Sequence, residues 1–571
     1  MGPSGTCAAP VPTRVGLARI APVVAQATRG TLPIPSAGWQ FYVHAMSTTK
    51  KAYRLPFLLV CTCVLSIVFG QILPASGLGL PPVNPVVLEN MQPGTTAWQL
   101  GALQADDVNN QIKGYASATS VGLGQSIDFF VSVNPAQAYT MNFYRIGWYQ
   151  GLGGRWLFNT GAIAGSPQKS CVPDATTGLI DCGWSPTYSL SIPAAWTSGV
   201  YLVVLTNSLG YQNYIVFVLR DGRAAALRYV QPVNTYQAYN NYPDDHATGK
   251  SLYEYNSNGV NTVANTPRAV KVSFNRPYAD RGYGDFLNYE VDFVRWLERS
   301  AYDVTYTTDV DTDLGGASAL NTTLGVISAG HSEYWSAGMR NAMEAARDSG
   351  VNIGFFGANA SYWQVRYEPD SAGNADRVVV CYKDASIDPV QGPLTTVLWR
   401  SAPVNRPEQT MVGVQFTSQV NWGNNVDYVV INSAHWAYSG TGFLDGDHVP
   451  GLLGYEMDRS MSDYPLPAGT GYTLLSNSPF TNASGQADYS NASIYQAPSH
   501  AIVFAAGTSS WEWALDNATG FTPNVRIERT TANILDAFTN GTSLAGPLAI
   551  ANPVIPGVFI PPPVQLPVAL D

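Results

Sequence analysis

The densest chemistry in the sequence is HSEYW at 331–335, where an imidazole (His331), a carboxylate (Glu333) and a phenol (Tyr334) fall within four residues. Two other stretches share its setting: Thr308 with Asp309 and Asp311, and NASYW at 359–363 with Asn359, Tyr362 and Trp363. Each directly follows an apolar run of strand length, namely YDVTYT at 302–307, LGVISA at 324–329 and VNIGFF at 351–356. A helix is expected to begin at Ser336, its cap, and to stop before Gly350, so its partial positive charge lies beside HSEYW. Such a corner can position water and move protons, with His331 and Glu333 as catalytic candidates and Asn359, Tyr362, Trp363 and Asp309 as substrate contacts. In the plainer alternative Tyr334, Trp335, Tyr362 and Trp363 are aromatic walls, and Glu333 and Ser336 serve the helix start. Two YW pairs at successive strand ends favour function.

Other constellations are poorer. A triad of Ser332, His331 and Asp309 lacks the Gly-x-Ser-x-Gly elbow, Cys381 ends an apolar strand with no His near it in sequence, and no glycine-rich phosphate loop follows any strand.

The string GHSEYWS, with TYQAYN at 235–240, SLY at 251–253, FVRWLE at 293–298, GYEMDR at 454–459 and VFAAGTSSWEWALD at 503–516, resembles the C-terminal domain of the large (β) subunit of N,N-dimethylformamidase. The YRIGWY segment at 144–149 is similar to the β-sandwich attached to many members, and the resemblance extends in scattered motifs over roughly 112–539. It implies an amide hydrolase whose single iron is held by two tyrosine phenolates and one glutamate, with a small accessory subunit as a further partner. Hard anionic oxygens suit Fe(III), which lowers the pKa of bound water and polarises an amide carbonyl. Carried over by motif, Tyr334 is the first phenolate and Tyr289 the second, although Tyr289 also fits an apolar helix stripe. The stretch CYKDASIDPVQGPLTTVLWR at 381–400 offers Asp384 and Asp388 but no Glu, so Asp388 stands in as the acidic ligand and the third position stays open. Glu456 in GYEMDR reads as a supporting or ion-pair residue beside Asp458 and Arg459.

The elements that must position these residues read as a parallel α/β sheet with a Rossmann-like or amidotransferase-like core, preceded by an all-β immunoglobulin-like sandwich. The expected divisions are a low-complexity or non-native extension (1–45), a signal peptide or membrane anchor (46–76), a linker (77–110), the sandwich (111–221), the N,N-dimethylformamidase-like domain (222–545) and a Pro-rich tail (546–571). Lys50, Lys51 and Arg54 before the apolar run at 55–69 make an export signal, with cleavage and retention as a single anchor both open. Export to the cell surface or beyond agrees with Cys171 and Cys182, eleven residues apart in a loop that suits a disulfide, while Cys381 is left over. Six Asn-x-Ser/Thr sites occur at chance frequency for so Asn-, Ser- and Thr-rich a chain. With 571 residues, net charge −10 and seven lysines, the chain lacks the basic footprint for nucleic acid. The resemblance implies a small-molecule amide as substrate. The rival reading is a non-catalytic surface protein that stacks glycans on Trp335, Tyr362 and Trp363.

Overall fold

The computed structural model describes residues 84–540; the extension, the signal or anchor and the Pro-rich tail lie outside the described residues. Among the described residues no helix is long and apolar enough to cross a membrane. Residues 112–220 form a three-stranded and a six-stranded sheet over one apolar core. The period-two alternation in Ser126–Val133 and Gln137–Ile146 sends Ile127, Phe129, Val131 and Val133 from one sheet against Tyr139, Met141 and Phe143 from the other. Cys171 and Cys182 are joined in a disulfide, and Cys381 is free and buried.

Arg145 and Gly147 of the YRIGWY motif are accounted for by a buried ion pair with the neighbouring domain. Arg145 reaches into the interior and forms a two-pronged pair with Glu298 of the FVRWLE helix, at 2.7 Å and 3.0 Å. Glu298 also accepts from Tyr306 (2.9 Å) and Asn90 (2.8 Å), while Arg145 donates to the Ser198 carbonyl at 2.8 Å. A Cβ at Gly147 would collide with Glu298 Oε2, which accounts for the glycine in the motif.

Beyond the sandwich, the large sheet and the helices that bear on the site are β1 (Ala225–Gln231), α1 (Val233–Tyr239), α2 (Val291–Arg299), β2 (Val304–Thr308), α3 (Asp309–Leu320), β3 (Thr323–His331), α4 (Ala337–Asp348), β4 (Asn352–Ala358), β5 (Thr470–Leu474), β6 (Ser493–Gln496) and β7 (Ile502–Ala505). Their sheet runs β2-β1-β3-β4-β7-β6-β5. Neighbours from β2 to β7 are parallel, whereas β6 and β5 join antiparallel.

This overturns the expected α/β class with a Rossmann-like core. The described chain is mostly strand, in several mixed and antiparallel sheets, with little helix. The strand–helix–strand pattern at 302–356 is local: between β4 and β7 the chain makes short, mainly antiparallel pairings and no further βαβ unit.

What matters for function is where β3 and β4 end. His331 stands opposite Ala358 in their register, and the two YW motifs then pair with each other, Tyr334 opposite Trp363. The strands approach so closely that a Cβ on Gly357 would overlap the Gly330 carbonyl. Asn359 and Ser361 turn the chain in the left-handed region (φ 55° and 57°), a conformation that asparagine tolerates better than most residues. Ser336 caps α4 by accepting from Met339 N–H at 3.0 Å.

Candidate functional site

Two segments distant in sequence converge on the Glu333 carboxylate. Tyr239, the last residue of α1, donates to its Oε2 at 2.9 Å, and Tyr253, from the loop after α1, lies 2.8 Å from the same oxygen and 3.0 Å from Oε1. The two phenol oxygens are 2.7 Å apart. Tyr334 OH stands one step back, 2.7 Å from Tyr253 OH. The backbone fixes this assembly: Thr235 Oγ1 in α1 accepts from Glu333 N–H at 3.0 Å, Asn234 Nδ2 donates to the Tyr334 carbonyl at 3.1 Å, and Leu252 N–H ties the Tyr253 loop to the Ala238 carbonyl at 2.9 Å.

Beside the carboxylate lies His331, buried, with Nε2 2.8 Å from Glu456 Oε2 and 3.4 Å from Glu333 Oε2. Nε2 is nevertheless not aligned for a hydrogen bond to either. Glu456 is held by Asn359 Nδ2 at 2.9 Å, and Asn359 N–H donates to Asp458 at 2.8 Å. The Lys383 ammonium covers the faces of Tyr253 (3.7 Å), Trp363 (4.8 Å) and Tyr334 (5.2 Å).

The electrostatics are those of a site with too many anionic donors. Burial, then the Glu456 charge, pushes the Glu333 carboxyl up against the pull of His331 and Lys383. Burial and Glu333 together hold the phenols of Tyr239, Tyr253 and Tyr334 well above their ordinary range. Burial alone would depress His331, but Glu456 and Glu333 outweigh it and raise the imidazole to about 9. Burial brings Lys383 down to about 8 despite Glu333.

The donor set fits one hard cation. Oxygen ligands at about 2 Å and right angles to one another stand roughly 3 Å apart, and the Tyr239, Tyr253 and Glu333 oxygens are separated by 2.7–2.9 Å. Among the described residues no group of three or more His, Cys, Asp or Glu is placed to hold a metal ion, so any such centre depends on the phenols.

A family model described as N,N-dimethylformamidase beta subunit-like, C-terminal, matches residues 140–524. The chain belongs to this family. The N,N-dimethylformamidase-like match begins inside the sandwich, on the strand that carries Arg145, and ends beyond Trp513. No curated protein matches the sequence. Membership makes the protein hydrolase-like.

Within this N,N-dimethylformamidase-like chain the expected residues part company. His331, Glu333, Tyr334 and Asn359 come together, and Trp363 reaches the group through Lys383. The Tyr334 hydroxyl donates to Tyr253 rather than to Glu333. Tyr289, expected as the second phenolate, instead packs its ring 6.0 Å from His331 and parallel to Trp513. Asp388, expected as the acidic ligand, is turned away: Arg366 binds both its oxygens at 2.8 Å, and Thr396 and Val390 N–H groups take the rest. Asp309, expected to contact substrate, accepts from Asn234 N–H at the start of α1 at 3.0 Å. Tyr362 lies between Phe416 and the Arg400 guanidinium, and Trp335, an exposed stacking ring in the glycan reading, is 1 % exposed.

Sequence reasoning misses Tyr239 and Tyr253 as individuals, although TYQAYN and SLY stand out as strings, and the carboxylate that these two phenols meet is the one in EYW rather than an acid in 381–400. Asp388→Asn is therefore expected to lower stability by about 1–3 kcal/mol, through the charged hydrogen bonds it loses, and to leave metal content at the wild-type level. Thermal unfolding with elemental analysis of the same sample checks both halves.

Proposed function

We propose that Tyr239, Tyr253 and Glu333 hold one Fe(III) ion and that the site hydrolyses the carbon–nitrogen bond of an amide. The observation that carries this reading is the convergence of two phenols and a carboxylate, from three separate segments, at mutual oxygen distances of 2.7–2.9 Å. Bound there, the cation would polarise an amide carbonyl and acidify water.

The remaining work falls to the chain's own groups. Tyr334 OH, 2.7 Å from Tyr253 OH, and the Lys383 ammonium over the Tyr253 ring hold that phenol in position. Glu456, whose Oε2 lies 2.8 Å from His331 Nε2, takes the proton that water gives up and returns it to the nitrogen as the C–N bond breaks, while the charged imidazole beside it stabilises negative charge on oxygen. Asn359 holds Glu456 in place for this exchange. The products are a carboxylic acid and an amine.

Protein purified after growth with iron is expected to contain near-stoichiometric metal and a visible tyrosinate-to-iron band that weakens and shifts in Tyr253→Phe. A colourless wild-type protein with intact fold and no iron would end the reading.

The family is described by the name of a subunit, which is compatible with a small accessory subunit here. Export remains part of the reading, supported by the Cys171–Cys182 disulfide, a bond at home outside the reducing cytosol.

A further inference from the structure

Outward from His331 the wall becomes aromatic, and it is built by separate parts of the chain. Tyr289, from the turn before α2, and Tyr455, beside Glu456, place their rings 6.0 Å and 6.1 Å from the imidazole. Trp422, on the turn between the strands Gln415–Gln419 and Val426–Val429, meets Tyr455 at 5.2 Å, Tyr289 at 5.9 Å and Trp513 at 6.0 Å, each edge to face. Trp513 lies parallel to Tyr289 at 6.3 Å and stacks on Phe521 at 4.0 Å.

Exposure climbs along this file, from 4 % at Tyr289 and 7 % at Trp513 to 44 % at Phe521 and 56 % at Trp422. Trp422 and Phe521 are set apart from other exposed apolar residues because their rings are in edge or face contact with buried rings rather than standing alone. Here the open rings are continuous, through Tyr289 and Tyr455, with the imidazole that adjoins Glu333 and Glu456, so they flank the proposed centre on one side.

We infer that this aromatic ramp is a ligand subsite for a flat, apolar ring, so that the amide taken by the site is one bearing an aryl substituent rather than a small dialkylamide. The inference rests on the amide-hydrolase reading for the word substrate, but the ring subsite itself is tested by binding. Ring-on-ring contact of the kind Trp422 offers is worth up to about tenfold in affinity for each good pair.

The test uses the full purified chain and two probes, acetanilide and N,N-dimethylacetamide, titrated by calorimetry against wild type and Trp422→Ala. Acetanilide is expected to bind at least about tenfold more tightly than dimethylacetamide, and that ratio is expected to fall about tenfold in Trp422→Ala. Because Trp422 sits on an exposed turn, the variant keeps its fold, and its melting temperature checks this. Equal affinity of wild type for the two probes, or an unchanged ratio in Trp422→Ala, would overturn the inference. So would self-association of wild type that disappears in the variant without any aryl binding, which would make the ramp a protein contact. If the binding pattern holds but iron-loaded protein releases no aniline from acetanilide, the subsite stands and the hydrolase reading fails.

Discussion

Glu333→Gln is expected to empty the metal centre and abolish amide hydrolysis while leaving the fold in place. The substitution keeps the size of the side chain and its capacity to hydrogen-bond, but removes the one carboxylate that both Tyr239 and Tyr253 touch. What anchors residue 333 is backbone: its N–H donates to Thr235 Oγ1, and its carbonyl accepts from Tyr362 and Trp363. Those bonds survive the change. Losing even a supporting partner costs about 10–100-fold in metal affinity, so losing an anionic ligand is expected to cost at least about a hundredfold. Metal content after dialysis, circular dichroism and acetanilide hydrolysis on one preparation decide the matter. Wild-type iron content together with wild-type activity in the variant would exclude Glu333 as a ligand.

Glu298→Ala is expected to be the most damaging substitution away from that centre. Its carboxylate receives two bonds from Arg145, one from Tyr306 and one from Asn90, with neither charge reaching solvent. Truncation leaves the guanidinium stranded with backbone carbonyls and the Tyr149 hydroxyl as its remaining partners. Breaking one side of a buried pair costs about 3–5 kcal/mol, and the loss is expected to be smaller when Arg145→Met accompanies it, since no unpaired charge then remains. Urea unfolding of the single and double variants measures both. A loss under about 1 kcal/mol for Glu298→Ala would show that the pair contributes little.

Much of the site is readable because HSEYW concentrates chemistry in a few residues at a strand end, where backbone geometry points side chains at ligands. Its partners are harder to see. Tyr239 and Tyr253 lie 94 and 80 residues from Glu333 in sequence, and phenols at such distances carry no spacing signature of the kind that clustered His and Cys do. Asp388 attracts attention because it lies where an acid is wanted, yet Arg366 on the neighbouring strand neutralises it, and the two are 22 residues apart. Tyr289 sits on the apolar face that runs into α2, and its ring, rather than its hydroxyl, meets His331. The fold class failed for a related reason. The βαβ period at 302–356 is strong and local, while the short strands from 363 to 505, broken by glycines with positive φ, carry weak periodicity and decide the mixed character of the sheets.

The oxygen set at 239, 253 and 333 is drawn from α1, an irregular loop and the connection just past β3, so it exists only in the native chain. A cation that binds there binds the folded protein and not the unfolded one, and its concentration therefore enters the folding equilibrium. At a hundred times its dissociation constant such an ion adds about 2.7 kcal/mol to stability by mass action. Scarcity of the ion would then shorten the life of the protein as well as silence it.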